Sequence, residues 1–147
     1  NEKSPLYNTV FIRHGVMDKL SNKKQYDLEE RTFEFAKKVR FFIKQVHKSI
    51  ANIEDSKQLV KSSGSVGANY IEANEALSKK DFLMRLNISR KEAKGSRYWL
   101  RLLDGQEELL ETRNSLLQEA KELMNILCIF IKFEIRILDL LAFVFVI

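Results

Sequence analysis

Apolar and polar positions recur with a helical period along most of this chain. Leu28, Ala36, Val39, Ile43, Val46 and Ile50 share one face, and Asp27 followed three residues later by Glu30 is a helix-start signal. A first helix is therefore expected from Leu28 to Ser49. Asn52 with Asp55 opens a second periodic stretch, in which Leu59, Ser63, Val66, Tyr70 and Leu77 fall on one line and which reaches about Ala76. Ser78 with Asp81 caps a third helix. Its positions Phe82, Leu86, Ser89, Ala93, Ser96, Leu100 and Leu103 alternate steps of four and three, the repeat of a close-packed helical seam. Gly105 and the polar run Gln106 to Asn114 read as a stop and a connection. Ser115 with Gln118 then restarts a fourth helix carrying Leu116, Ala120, Leu123, Leu127 and Ile131.

Short connections make sequential helices antiparallel, and at 1.5 Å per residue each spans roughly 30 to 40 Å. The expected fold is all-α, an antiparallel up-down-up-down four-helix bundle. Helix two is the odd member, because Ser62-Ser63-Gly64-Ser65-Val66-Gly67-Ala68 runs small residues through its middle. Each interior glycine costs about 1 kcal/mol relative to alanine. The expected compensation is close approach of a neighbouring helix, with Trp99 or Tyr98 of helix three filling the opposite space.

Composition supports this reading. One proline and five glycines in 147 residues are too few for a strand-and-turn fold of one domain. A single cysteine excludes a disulfide framework and fits a reducing, cytoplasmic setting. Residues 1–25, which contain Pro5 and the short apolar patch Val10-Phe11-Ile12, are expected to form a poorly ordered arm without the features of a secretory signal. Residues 26–147 then form the bundle and an apolar C-terminal extension. From Ile126 to Ile147 the chain is apolar on nearly every face, yet Lys132, Glu134, Arg136 and Asp139 interrupt it. Each such charge costs roughly 2.5–3.5 kcal/mol at a bilayer centre, so no membrane span is expected. Phe130, Phe133, Ile137 and the tail point instead to self-association.

The net charge of +5 is unevenly placed. Lys57 to Arg101 holds ten basic and four acidic residues, whereas Leu102 to Asn125 holds two basic and six acidic. Within helix three, Arg90, Lys94, Arg97 and Arg101 recur at steps of four, three and four, forming one stripe beside the core line, and Lys91 flanks it. Like charges at these spacings repel by a few tenths of a kcal/mol each. The stripe therefore either pairs with acids on neighbouring helices or meets an anionic ligand. Arg90, Lys91, Lys94, Arg97 and Arg101 are the candidate phosphate-tracking residues for RNA or another nucleic acid; an acidic protein partner is the alternative.

Catalytic and metal-binding patterns are missing from the sequence. The histidines, His14 and His47, lack the Glu-x-x-His spacing of carboxylate-bridged metal sites, and His47 reads as a polar residue near the end of helix one. Cys128 has no identifiable base and reads as a small apolar residue of helix four. Ser63 and Ser65 lack the spacing and preceding strand of a nucleophile elbow. Glu72, Glu75 and Glu92 read as solvated or salt-bridged. No enzyme activity, metal or cofactor is expected.

The stretch Ser63-Gly64-Ser65-Val66-Gly67-Ala68-Asn69-Tyr70-Ile71-Glu72-Ala73, followed by Asp81-Phe82, Lys91-Glu92-Ala93 and Tyr98-Trp99-Leu100, resembles the four-helix-bundle family of 23S rRNA intervening-sequence proteins. The resemblance covers roughly Tyr26 to Phe133. It implies a bacterial, cytoplasmic, non-catalytic protein, often encoded within insertions in large-subunit rRNA genes, that assembles as a homopentamer. Related accessory proteins of diversity-generating retroelements have a similar bundle and ring, with a basic surface thought to serve nucleic acid or a reverse transcriptase. By the same resemblance Asn69, Tyr70, Glu72, Glu92 and Trp99 are motif positions whose expected role is packing and inter-helix hydrogen bonding. Lys94-Gly95-Ser96-Arg97 departs from the family pattern by placing two basic residues where acidic or polar ones are common. The expectation for function is thus a non-catalytic oligomeric bundle that binds structured RNA, such as an rRNA intervening sequence, through its basic face; the alternative is a scaffold that docks an acidic protein or a polymerase.

Overall fold

The computed structural model describes residues 28–146, and the expected arm, residues 1–25, lies outside them, as do Asp27 and His14. The described chain forms α1 (Leu28–Gln45), α2 (Ile50–Asn74), α3 (Lys79–Leu102), a 3-10 turn (Glu107–Leu109) and α4 (Leu110–Val146). Cross-helix pairs fix their directions. Asn74 bonds Glu29 and Gly67 abuts Thr32 between α1 and α2; Ser62 meets Ser96 and Val66 meets Ser89 between α2 and α3. Lys79 pairs with Glu134 at 3.6 Å between α3 and α4. With Leu103 meeting Arg113 at the other end of α3, residue numbers rise on one helix as they fall on the next across every interface, so the four helices run up, down, up and down, as expected from the short connections.

The heptad line of α3 is the spine of the core. Leu86, Ser89, Ala93, Ser96 and Leu100 are buried, with Leu103 just beyond the helix, while Phe82 is half-buried at the bundle end. The small members of this line let α2 approach closely. The Ser89 hydroxyl donates to the Val66 carbonyl at 2.7 Å, and the Ser62 and Ser96 hydroxyls lie 2.9 Å apart, so the small-residue run of α2 is used to bury satisfied polar groups. Gly67 faces the other way. A Cβ there would sit 2.9 Å from Thr32 Oγ1 of α1, and Thr32 is itself fixed by donating to the Glu29 carbonyl at 2.8 Å. The neighbour that requires glycine is therefore α1. Tyr98 does not fill space opposite the glycines, being 54% exposed, whereas Trp99 packs against the core.

Several boundaries differ from the periodic reading. The first helix ends at Gln45, because the Ser49 side chain accepts from the Asn52 backbone N–H and starts α2 there; Ile50 is the exposed first residue of α2, and the apolar face of α1 is completed by Phe35 and Phe42. Asn52 is no cap. It is buried, donates to the carbonyls of His47 and Asp104, and accepts from the Asp104 N–H at 2.9 Å, tying the α1–α2 connection to the α3–α4 connection. Ser78 does cap α3, accepting from the Asp81 N–H at 3.1 Å. The largest difference is in the fourth helix, which begins at Leu110 and not at Ser115. Buried Leu109 and Leu116 anchor this stretch, and Arg113 donates to the Leu103 carbonyl at 3.0 Å, so the polar run is helical and covers the end of α3.

The helices are unequal. α4 has 37 residues and runs roughly 55 Å, against 24 residues and roughly 36 Å for α3. Its surplus extends past the N-terminal end of α3, beyond Glu134. There Ile135, Leu138, Leu140, Leu141, Phe143 and Val144 are exposed. Among the described residues, no helix is long and apolar enough to cross a membrane.

Candidate functional site

α4 carries its charges on two sides of its buried face. Toward α1, Arg31 Nε donates to Glu119 at 2.7 Å, its second nitrogen to Glu119 at 2.9 Å, and again to Glu122. This forked contact, principally the hydrogen bond to Glu119, raises the guanidinium pKa above its ordinary value. The Gln118 amide, which donates at 3.0 Å, and then Arg31 hold the Glu122 carboxyl below the usual carboxylate range. The carboxylates in the middle of α4 are thus engaged on the α1 side.

The side toward α3 is different. An open groove of about 260 Å³ is lined by Arg97 and Arg101 of α3 and by Asn114, Leu117, Gln118 and Lys121 of α4. Among the described residues, no carboxylate lines it. Among the described residues, none of Arg90, Lys91, Lys94, Arg97 and Arg101 has a salt-bridge partner, although Glu34, Glu54, Glu72, Asp81, Glu119, Glu122 and Glu134 all have one. Lys91, Lys94 and Arg101 are exposed, and Arg90 and Arg97 are half-buried against the flank of the core. Arg90 Nε is buried with no hydrogen-bond partner among the described residues. The structure thus brings Arg97 and Arg101 together in the groove, extends the stripe along α3 through Lys94 and Arg90, and sets Lys91 on the outer flank.

Lys121, Asn114 and Gln118 complete the groove and were not among the sequence candidates. The signal for them is an α4 line of steps four, three, four, three and four through Asn114, Gln118, Lys121, Asn125, Cys128 and Lys132, which contains no carboxylate. Averaging charge over Leu102 to Asn125 hid this line: Glu119 and Glu122 lie on Arg31, Asp104, Glu107 and Glu108 at the connection, and Glu111, one step of three before Asn114, does not line the groove among the described residues.

The motif residues have mainly structural surroundings. Asn69 donates to the Ser65 carbonyl within its own helix at 2.9 Å, so it caps no inter-helix bond. Glu72 pairs with Arg85 across α2 and α3 at 3.6 Å, and Tyr70 and Trp99 pack against the core. Glu92 is half-buried. His47 is exposed and follows α1, and Cys128 is half-buried where a core position was expected. Among the described residues, no group of three or more His, Cys, Asp or Glu side chains is placed to hold a metal ion.

The antiparallel arrangement of four helices defines the class of protein, a four-helix bundle. The family model of the 23S rRNA-intervening sequence proteins matches residues 24–128, and the chain belongs to that family. The crystal structure of a protein of unknown function from the S23 ribosomal protein family of Bacteroides thetaiotaomicron is similar, at 34% identity and a TM-score of 0.60, with 71% of this chain and 94% of that one covered. A comparison with curated proteins finds no match.

Proposed function

We propose that this chain is a non-catalytic, cytoplasmic bacterial protein that binds structured RNA, an rRNA intervening sequence being the natural candidate, through the α3 stripe and the groove beside it. One observation carries the reading: Arg90, Lys91, Lys94, Arg97 and Arg101 have no acidic partner among the described residues, while Glu119 and Glu122 of neighbouring α4 are held on its α1 side. A helical row of like charges that gains nothing from its own fold is favourable only with an anion against it. Guanidinium and ammonium groups spaced along a helix match a phosphate backbone, whose binding releases counterions.

The family membership supports this assignment, since the family is named for a sequence that interrupts 23S rRNA. Exposed Ile129, Phe133, Leu140, Phe143 and Val144 support self-association through the α4 extension, five copies being the number the resemblance implies. Affinity for a structured RNA should fall steeply as salt rises and should be abolished in R90E/K94E/R97E/R101E. Binding that is insensitive to salt, or that survives this reversal, overturns the proposal. Capture of a protein partner that persists after nuclease treatment and is lost in the same variant would favour docking of an acidic protein instead.

A further inference from the structure

Beside the groove, α3 presents an aromatic ring among its cations. Tyr98 lies four residues after Lys94, three before Arg101 and seven after Lys91, so all three share its side of the helix. It is 54% exposed, so much of the ring is open to solvent. Its orientation is set from behind. The ring meets that of Trp99 edge-to-face, with centroids 5.1 Å apart and planes at 77°, and Trp99 packs against the core.

Phe133 and Phe143 of α4 are exposed within an apolar stretch, and the two exposed rings of α1 are covered in a way that Tyr98 is not. On α1, Lys37 lies over Phe33 at 5.8 Å and Lys44 over Phe41 at 5.3 Å, so each of those faces carries its own cation. Among the described residues, no cation lies over Tyr98, although three cations occupy neighbouring helical positions. A fixed, uncovered ring surrounded by unpaired positive charge is the arrangement that stacks a nucleobase while its phosphates are neutralised on either side. Bases within a duplex are already stacked on one another and do not offer a face. Unpaired ones do.

We infer that the basic face selects unpaired nucleotides, in a loop, bulge or single strand, with a base stacked on Tyr98 and the flanking phosphates on Lys94, Arg97, Arg101 and, across the groove, Lys121. This rests on the RNA-binding reading above and narrows its ligand. The full chain should bind an RNA hairpin carrying an unpaired loop more tightly than a blunt duplex of equal phosphate count. Tyr98→Ala should weaken hairpin binding roughly tenfold, leave duplex binding unchanged and leave the slope of log affinity against log salt unchanged, because no phosphate contact is removed. Tyr98→Phe, which keeps the ring, should behave as the parent. A thermal melt of each variant confirms the fold. If both RNAs bind and Tyr98→Ala binds the hairpin as well as the parent does, the stacking inference is overturned and the basic-face reading stands. If neither RNA binds the parent, both fall.

Discussion

The two sides of α4 solve the same electrostatic problem in opposite ways. Toward α1, one arginine holds two carboxylates in a forked network, and its positive charge is more than compensated where the helices meet. Toward α3, Arg97, Arg101 and Lys121 surround an open groove with two carboxamides and, among the described residues, no acid. The first arrangement makes α1 part of the bundle. The second contributes little to folding, since like charges at helical spacing repel, so its value must come from outside the chain. Glu119 and Glu122 divide the two sides: had both been turned toward α3, most of the groove's positive charge would be compensated and the case for an anionic ligand would weaken.

The largest effect should come from reversing the groove. R97E/R101E/K121E should lose roughly a hundredfold or more in RNA affinity, and neutralising the same three residues to glutamine should make the salt slope shallower by about 2, at close to 0.7–0.9 per phosphate contact. Both variants should melt near the parent, because none of the three side chains is buried in the core. Equilibrium denaturation together with a salt-titrated binding assay checks both statements.

On the opposite side the pattern inverts. Arg31→Ala should destabilise the fold by about 1–2 kcal/mol, as the partly buried carboxylates of Glu119 and Glu122 lose their donor, while RNA affinity stays unchanged. A drop in affinity at unchanged stability would show that the two sides are not separable.

A smaller effect belongs to helix starts. Ser78→Ala removes the hydroxyl that accepts from Asp81 N–H and should cost about 1 kcal/mol; Ser115→Ala, within α4, should stay within about 0.5 kcal/mol of the parent. Equal losses in denaturation would return the start of the last helix to Ser115.

The smallest effect is in acid. Glu122 has a lowered pKa in the folded state, so the unfolded chain binds its proton more tightly; its contribution is complete above the ordinary carboxylate value near 4.5 and is lost as pH falls through the folded value. Glu122→Gln should show a shallower loss of stability below pH 4.5 than the parent in pH-dependent melts.

Much of this architecture was legible because α3 obeys one period. The steps of four and three from Phe82 to Leu103 named its core face, and Ser78 with Asp81 named its start. The end of α1 was obscured because no glycine or proline marks it: Val46 and Ile50 continue the spacing across a break made by the Ser49 cap. The start of α4 was missed because amphipathic helices look like loops when their exposed face is densely polar, as it is from Gln106 to Asn114. The cationic half of the site on α3 is a linear feature of one helix and could be read directly. Lys121 could not, because only the turn of α4 about its axis decides whether its acids or its amides face α3. Tyr98 was visible as part of a motif, but its exposure depends on how far Trp99 reaches toward the core.

Lysine-directed footprinting with and without a structured RNA tests the separation of the two sides most directly. Bound RNA should protect Lys91, Lys94 and Lys121, while Lys37 and Lys57, paired with Glu34 and Glu54 on α1 and α2, keep their reactivity. Protection of Lys37 and Lys57 with Lys94 and Lys121 still reactive would put the ligand on another face and contradict the account.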